Sequence, residues 1–85
     1  MEVILHKSVK HSFKKLPRKI CDKFYDRVEL FKVDKFNPVL NNHSVDGAYV
    51  NSRSINITGD YRLVFREEGD VAIFIDIGTH SELYG

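Results

Sequence analysis

The chain has 85 residues, 42% hydrophobic and 29% charged, which fits one small folded domain and excludes a disordered, fibrous or multidomain protein. One cysteine, Cys21, excludes an intramolecular disulfide and favours a reducing compartment, Met1–Leu5 is too short for a signal peptide, and nothing later approaches the ~20 apolar residues of a membrane span. A soluble cytoplasmic domain without membrane contact is expected, with a core small enough to lean on a partner. Its net charge of +1 is unevenly spread, with +5 in residues 1–35 and −4 in residues 36–85. The basic half suits a phosphate backbone or an acidic partner, or is simply the wet surface of helices.

Taken in chain order, Glu2–His6 is a short β-branched run that predicts a strand, and Ser8 supplies an N-cap for a brief helix carrying Val9, Phe13 and Leu16. Pro17 fits the first turn of a second helix, which runs to about Asp34 with Ile20, Phe24, Val28 and Phe31 on one face. Two amphipathic helices joined at a proline suggest an αα hairpin laid on something flat. Residues 35–47, with Pro38, Asn41-Asn42 and Gly47, read as a loop.

After the loop the hydrophobic period changes to two. Ile55 and Ile57 alternate with Ser54 and Asn56; Tyr61, Leu63 and Phe65 with Arg62, Val64 and Arg66; Val71, Ile73, Ile75 and Ile77 with Ala72, Phe74 and Asp76. Three half-buried strands joined at Gly59-Asp60 and Glu68-Gly69-Asp70 predict an antiparallel meander, and with the helices an α+β domain over residues 1–85. Turning the isoleucines toward the helices sends Ser54, Asn56, Asp60, Arg62 and Asp76 to the opposite face. That collection is either a functional surface or the ordinary solvated side of an antiparallel sheet.

His6 and His11 have no spacing that repeats on a helix face and receive no role. His43 in the asparagine-rich loop and His80 in Gly78-Thr79-His80-Ser81 occupy polar settings where imidazole titrates near neutrality, although each also reads as an ordinary exposed histidine. With one cysteine, no HExxH, no GxGxxG and no Walker run, neither a metal nor a nucleotide cofactor is expected. No serine stands in a G-x-S-x-G elbow. Acid/base chemistry by histidine and aspartate, assisted by arginine, is what remains.

The run His43-Ser44-Val45-Asp46-Gly47-Ala48-Tyr49, then Arg53, then Gly59-Asp60-Tyr61-Arg62-Leu63-Val64-Phe65, and finally Ile77-Gly78-Thr79-His80-Ser81-Glu82-Leu83-Tyr84 resembles the YafQ branch of the RelE toxins. The match is specific over residues 41–85, while residues 1–40 agree only in their strand-helix-helix pattern. The resemblance implies a twisted antiparallel sheet with the N-terminal strand and two helices on one face, and the site on the other. It also implies a type II toxin held by a cognate acidic antitoxin in a hetero-oligomer, which cuts messenger RNA on the ribosome by metal-independent attack of a ribose 2′-OH. Carried over by position, His43, Asp60 and His80 match the acid/base set, and Arg62 matches the phosphate-holding arginine. Tyr61 and Tyr84 match aromatics suited to stacking, with Arg53 and Asn56 beside them as RNA contacts.

Two positions depart from that pattern. Asn56 stands where the branch usually has a third histidine, and Asp76 where it usually has an arginine. Asparagine shuttles no proton at neutral pH, and an aspartate near the phosphate either pairs with Arg62 or repels the substrate. Cleavage is therefore expected to be weakened, and arginine at position 76 to raise it. Two alternatives stand beside the nuclease: the ParE branch, which shares the fold and poisons DNA gyrase, and an inactive module that only binds an antitoxin.

Overall fold

The computed structural model describes residues 1–85 except Asp46 and Ala48, so the part of the His43–Tyr49 motif carried by those two lies outside the described residues. Strand β1 (Glu2–Leu5) leads into helix α1 (Lys7–Phe13) and helix α2 (Arg18–Val33). A 3-10 turn at Pro38–Leu40 precedes β2 (His43–Val45), β3 (Ser52–Asn56), β4 (Tyr61–Glu68), β5 (Val71–Thr79) and a closing helix α3 (His80–Tyr84). The five strands form one sheet in the order β1-β5-β4-β3-β2. The meander β3-β4-β5 is antiparallel as expected, whereas β1 joins the edge of β5 in parallel, which makes the sheet mixed.

Local chemistry explains where the elements start and stop. The cap of α1 is His6 rather than Ser8: its Nδ1 accepts the Ser8 N–H at 3.2 Å, so the helix begins two residues earlier than the Ser8 cap implied. Pro17 is the N-cap of α2 with extended backbone angles, and Asp34 closes the helix. The segment expected to be loop contains β2, held antiparallel to β3 with His43 opposite Ser54. Its short polar run carries no period, and pairing with β3 supplies what propensity does not.

Phe24, Val28 and Phe31 of α2 and Val9 of α1 are buried against Ile55, Leu63, Phe65 and Phe74 of the sheet. Phe31 meets Phe65 edge-on at 5.0 Å and Phe74 at 5.7 Å. Each such ring contributes about 1.5–3 kcal/mol of burial, which anchors the hairpin to the sheet.

The alternation predicted for β5 fails in its first half. Ala72 and Phe74 are fully buried on the helix side, while Ile73 and Ile75 are only half-buried. Val64 pairs with Asp76 but Phe65 pairs with Phe74, so Ile75 is an extra residue at a β-bulge. The bulge restores Ile77 to the core and turns Asp76 to the face away from the helices. Without it, the parity set by Phe74 would drive a carboxylate into the core.

Candidate active site

Leu63 and Ile55 point to the helices, so their neighbours point to the reverse face of the sheet. Two rows cross that face: His43, Ser54, Val64 and Asp76 in one, and Asn56, Arg62 and Gly78 in the next. At their β2 and α3 ends the surface sinks into a cleft of about 260 Å3 lined by His43, Ser44, Val45, Arg62, His80 and Tyr84. Residues separated by up to 41 positions thus meet through strand pairing and the return of the tail.

The turn between β3 and β4 holds two of these groups. Its Gly59 carbonyl accepts Arg62 Nη2 at 2.9 Å, and its Asp60 carbonyl accepts the His80 N–H at 3.2 Å. Thr58 Oγ1 braces the turn by accepting the Asp60 and Tyr61 N–H groups. The Nε of Arg62 is buried and has no hydrogen-bond partner among the described residues.

His43 is fixed through Nδ1, which lies 2.7 Å from the Asn41 carbonyl. A carbonyl only accepts, so Nδ1 carries the hydrogen, and in the neutral ring Nε2 remains an acceptor. Asn41 reaches this arrangement in the left-handed region (φ 48°), one of the few conformations asparagine adopts more readily than other side chains.

His80 opens α3, where Thr79 and Glu82 form a reciprocal capping box. The Thr79 N–H and hydroxyl beside Glu82 hold its carboxyl below the usual carboxylate range. Gly78 lets α3 fold tightly against β5: a Cβ there would stand 3.2 Å from Glu82 Oε1 and 3.3 Å from Glu82 Cβ. One turn later Tyr84 packs under the His80 ring at 4.9 Å, with its hydroxyl buried and unpartnered among the described residues.

Tyr49, which sequence reasoning left without a role, reaches this cluster from the segment between β2 and β3. Its ring meets Tyr84 edge-on at 5.9 Å and its hydroxyl donates to Asp76 Oδ2 at 3.2 Å. Burial, then the charge of Asp76 and the hydrogen bond to it, push the Tyr49 phenol up to about 12. No spacing rule pointed to Tyr49, because it stands between β2 and β3, outside any periodic element.

The other expected residues are distributed differently. Asn56 is beside Arg62, its Oδ1 buried without a partner among the described residues. The Asp60 carboxylate is exposed, and this residue meets the cleft through its backbone. Tyr61 is not at the cleft: it follows the parity of Leu63 and Phe65, packs on the core and lines a second hollow with Ser12, Lys15 and Asp76. Arg53 shares a row with Phe65 and Phe74, donates from Nε to Asn42 Oδ1 at 2.7 Å and stands over the Phe36 ring. Asp76 forms no pair with Arg62, contrary to the first expectation for it, and is not among the residues lining the cleft. Among the described residues no group of three histidine, cysteine or acidic side chains converges as a metal site.

A family model described as the ParE toxin of type II toxin–antitoxin systems, parDE, matches residues 3–84. The chain belongs to this toxin family. Among solved structures, YafQ from E. coli superposes with a TM-score of 0.84 at 15% identity, covering 99% of this chain and 98% of that one. A copper-bound mutant toxin from Helicobacter pylori gives 0.74 at 25% identity, with 99% of each chain covered. A structure from the RelB–RelE antitoxin–toxin complex of Methanococcus jannaschii gives 0.77 at 22% identity over 95% of this chain and 94% of that one. No curated protein sequence matches at a significant level. The toxin therefore has the fold expected from its C-terminal motifs, within the superfamily that RelE and ParE share. No helix among the described residues is long and apolar enough to cross a membrane.

Proposed function

We propose that the toxin is a ribosome-dependent messenger RNA endoribonuclease, acting in the cytoplasm and silenced by an acidic antitoxin. The observation that carries this reading is the buried, unpartnered Nε of Arg62 in a cleft flanked by two histidines. A buried donor without an acceptor costs about 1–3 kcal/mol, a debt that an anionic oxygen entering the cleft cancels. A phosphodiester brings such an oxygen, and two imidazoles are the acid/base pair its cleavage requires.

In the proposed reaction His43 Nε2 takes the proton of a ribose 2′-OH as that oxygen attacks the adjoining phosphorus. The bond from phosphorus to the 5′-oxygen breaks, and His80 gives that oxygen a proton. The products are a 2′,3′-cyclic phosphate and a free 5′-hydroxyl. Arg62 stabilises the extra charge on the pentacoordinate phosphorus. The substrate supplies its own nucleophile, so side chains alone suffice for the step. Asn56 and Tyr84 border the bound nucleotide, while Tyr61 and Arg53 serve the fold or the ribosomal surface rather than the scissile bond.

RelE, one of the fold neighbours, crystallised with its antitoxin RelB, which supports a toxin–antitoxin hetero-oligomer here. The basic helices suit both that acidic partner and ribosomal RNA.

Message cleavage by the purified toxin in a translating extract tests the reading. His80→Ala, His43→Ala and Arg62→Ala should each slow cutting by ~10²-fold or more, whereas Asp60→Asn should cost less, because the structure engages its backbone. Full activity in His80→Ala and Arg62→Ala would refute the assignment, and a collapse in Asp60→Asn with His43→Ala active would transfer the base to Asp60.

A further inference from the structure

Asp76 poses a problem for a phosphate-cleaving site, since a carboxylate beside the scissile group would repel it. The geometry gives that carboxylate another employment. Both oxygens are engaged: Oδ1 accepts the Ile77 N–H at 2.9 Å and Oδ2 accepts the Tyr49 hydroxyl at 3.2 Å. From Tyr49 the contacts continue edge-on to Tyr84 and from Tyr84 to the His80 ring. These contacts form a continuous path from the β5 bulge to an imidazole of the cleft.

We infer that Asp76 and Tyr49 are a positioning pair, in which the carboxylate tethers the phenol so that its ring holds Tyr84, and through Tyr84 His80, over the cleft. The inference rests on the nuclease reading for its catalytic consequence, but the tether itself is a property of the folded chain.

Three features favour a tether over a chance contact. His80 has no side-chain hydrogen bond among the described residues, so the Tyr84 ring is the contact that orients it. The Tyr84 hydroxyl is buried yet unpartnered, which leaves ring packing as what fixes this tyrosine. The bulge at Ile75 keeps Asp76 on the face of Tyr49, where a strand continuing the parity of the buried Phe74 would turn it inward. Arginine at position 76 offers the phenol no acceptor, so Asp76→Arg should lower cleavage, the reverse of what sequence reasoning anticipated.

The test combines the imidazole proton resonances of His80, identified by their loss in His80→Ala, with single-turnover cleavage on programmed ribosomes. Tyr49→Phe and Asp76→Ala should each move those resonances, as the ring current of Tyr84 is displaced. Each should lower the cleavage rate roughly ten- to a hundredfold at unchanged ribosome affinity. The double variant should be no worse than the more damaged single, and Asp76→Asn, which keeps an oxygen for the phenol, should remain closest to wild type. Tyr25→Phe, distant on α2, should leave the His80 resonances where they are. Unmoved resonances in both single variants, or losses that multiply in the double variant, would overturn the pair. If cleavage proceeds while resonances and rates ignore Tyr49 and Asp76, the tether fails and the nuclease stands. If the wild type cuts nothing yet the resonances move, the nuclease fails and the tether stands.

Discussion

Tyr49 carries a signature that can be read without any assay of function. Its phenol is pushed up to about 12, by burial first and then by Asp76. The difference between the alkaline absorbance titrations of wild type and Tyr49→Phe should therefore show one phenol ionising near 12. With Asp76→Ala as the parent, the same difference should move down toward the ordinary value of 10. A raised folded-state value means a stabilising contribution fully present below about pH 10 and lost as pH rises through 12. A difference curve that titrates at 10 in both backgrounds would remove the Asp76 contact. Among the residues lining the cleft, Arg62 was legible because strand parity and motif order agree on its face, whereas His43 and His80 were legible from motif order alone. Tyr61 shows the opposite case: parity with Leu63 and Phe65 assigns it to the helix side, and only the family position suggested a nucleotide contact. Tyr49 was illegible, since it stands between β2 and β3, outside any element whose period could aim its side chain.

At the scale of elements, the GTHSELY tail turns a strand into a short helix, and four of its residues have a mechanical reason. Gly78 permits close approach, Thr79 and Glu82 cap, and Leu83 is buried under α3. A five-residue helix has no stability of its own, so its capping and docking decide where His80 stands. Thr79→Ala should cost about 1 kcal/mol, seen as earlier fraying of α3 in amide exchange, and should depress cleavage more than it depresses the global melting temperature. Equal protection of the α3 amides in wild type and variant would contradict this role. The helices and the meander were legible because apolar residues repeat cleanly at Ile20, Phe24, Val28 and Phe31 and at Leu63 and Phe65. Strand β2 and the parallel docking of β1 were not, because each depends on a neighbour distant in sequence rather than on its own pattern.

At the scale of the molecule, the helical hairpin and core occupy one side of the sheet, and the cleft of His43, Arg62 and His80 opens on the other. The family assignment establishes a toxin of a type II system, and this cleft argues for a nuclease over an agent acting on gyrase, because it combines two imidazoles with a buried guanidinium donor. The decisive measurement compares both targets with one preparation: message integrity and end groups in a reconstituted translation reaction, beside DNA supercoiling by purified gyrase. The account predicts message cut on the ribosome, leaving 2′,3′-cyclic phosphate ends that disappear with His80→Ala, while supercoiling proceeds unchanged. Intact message together with arrested supercoiling would contradict it.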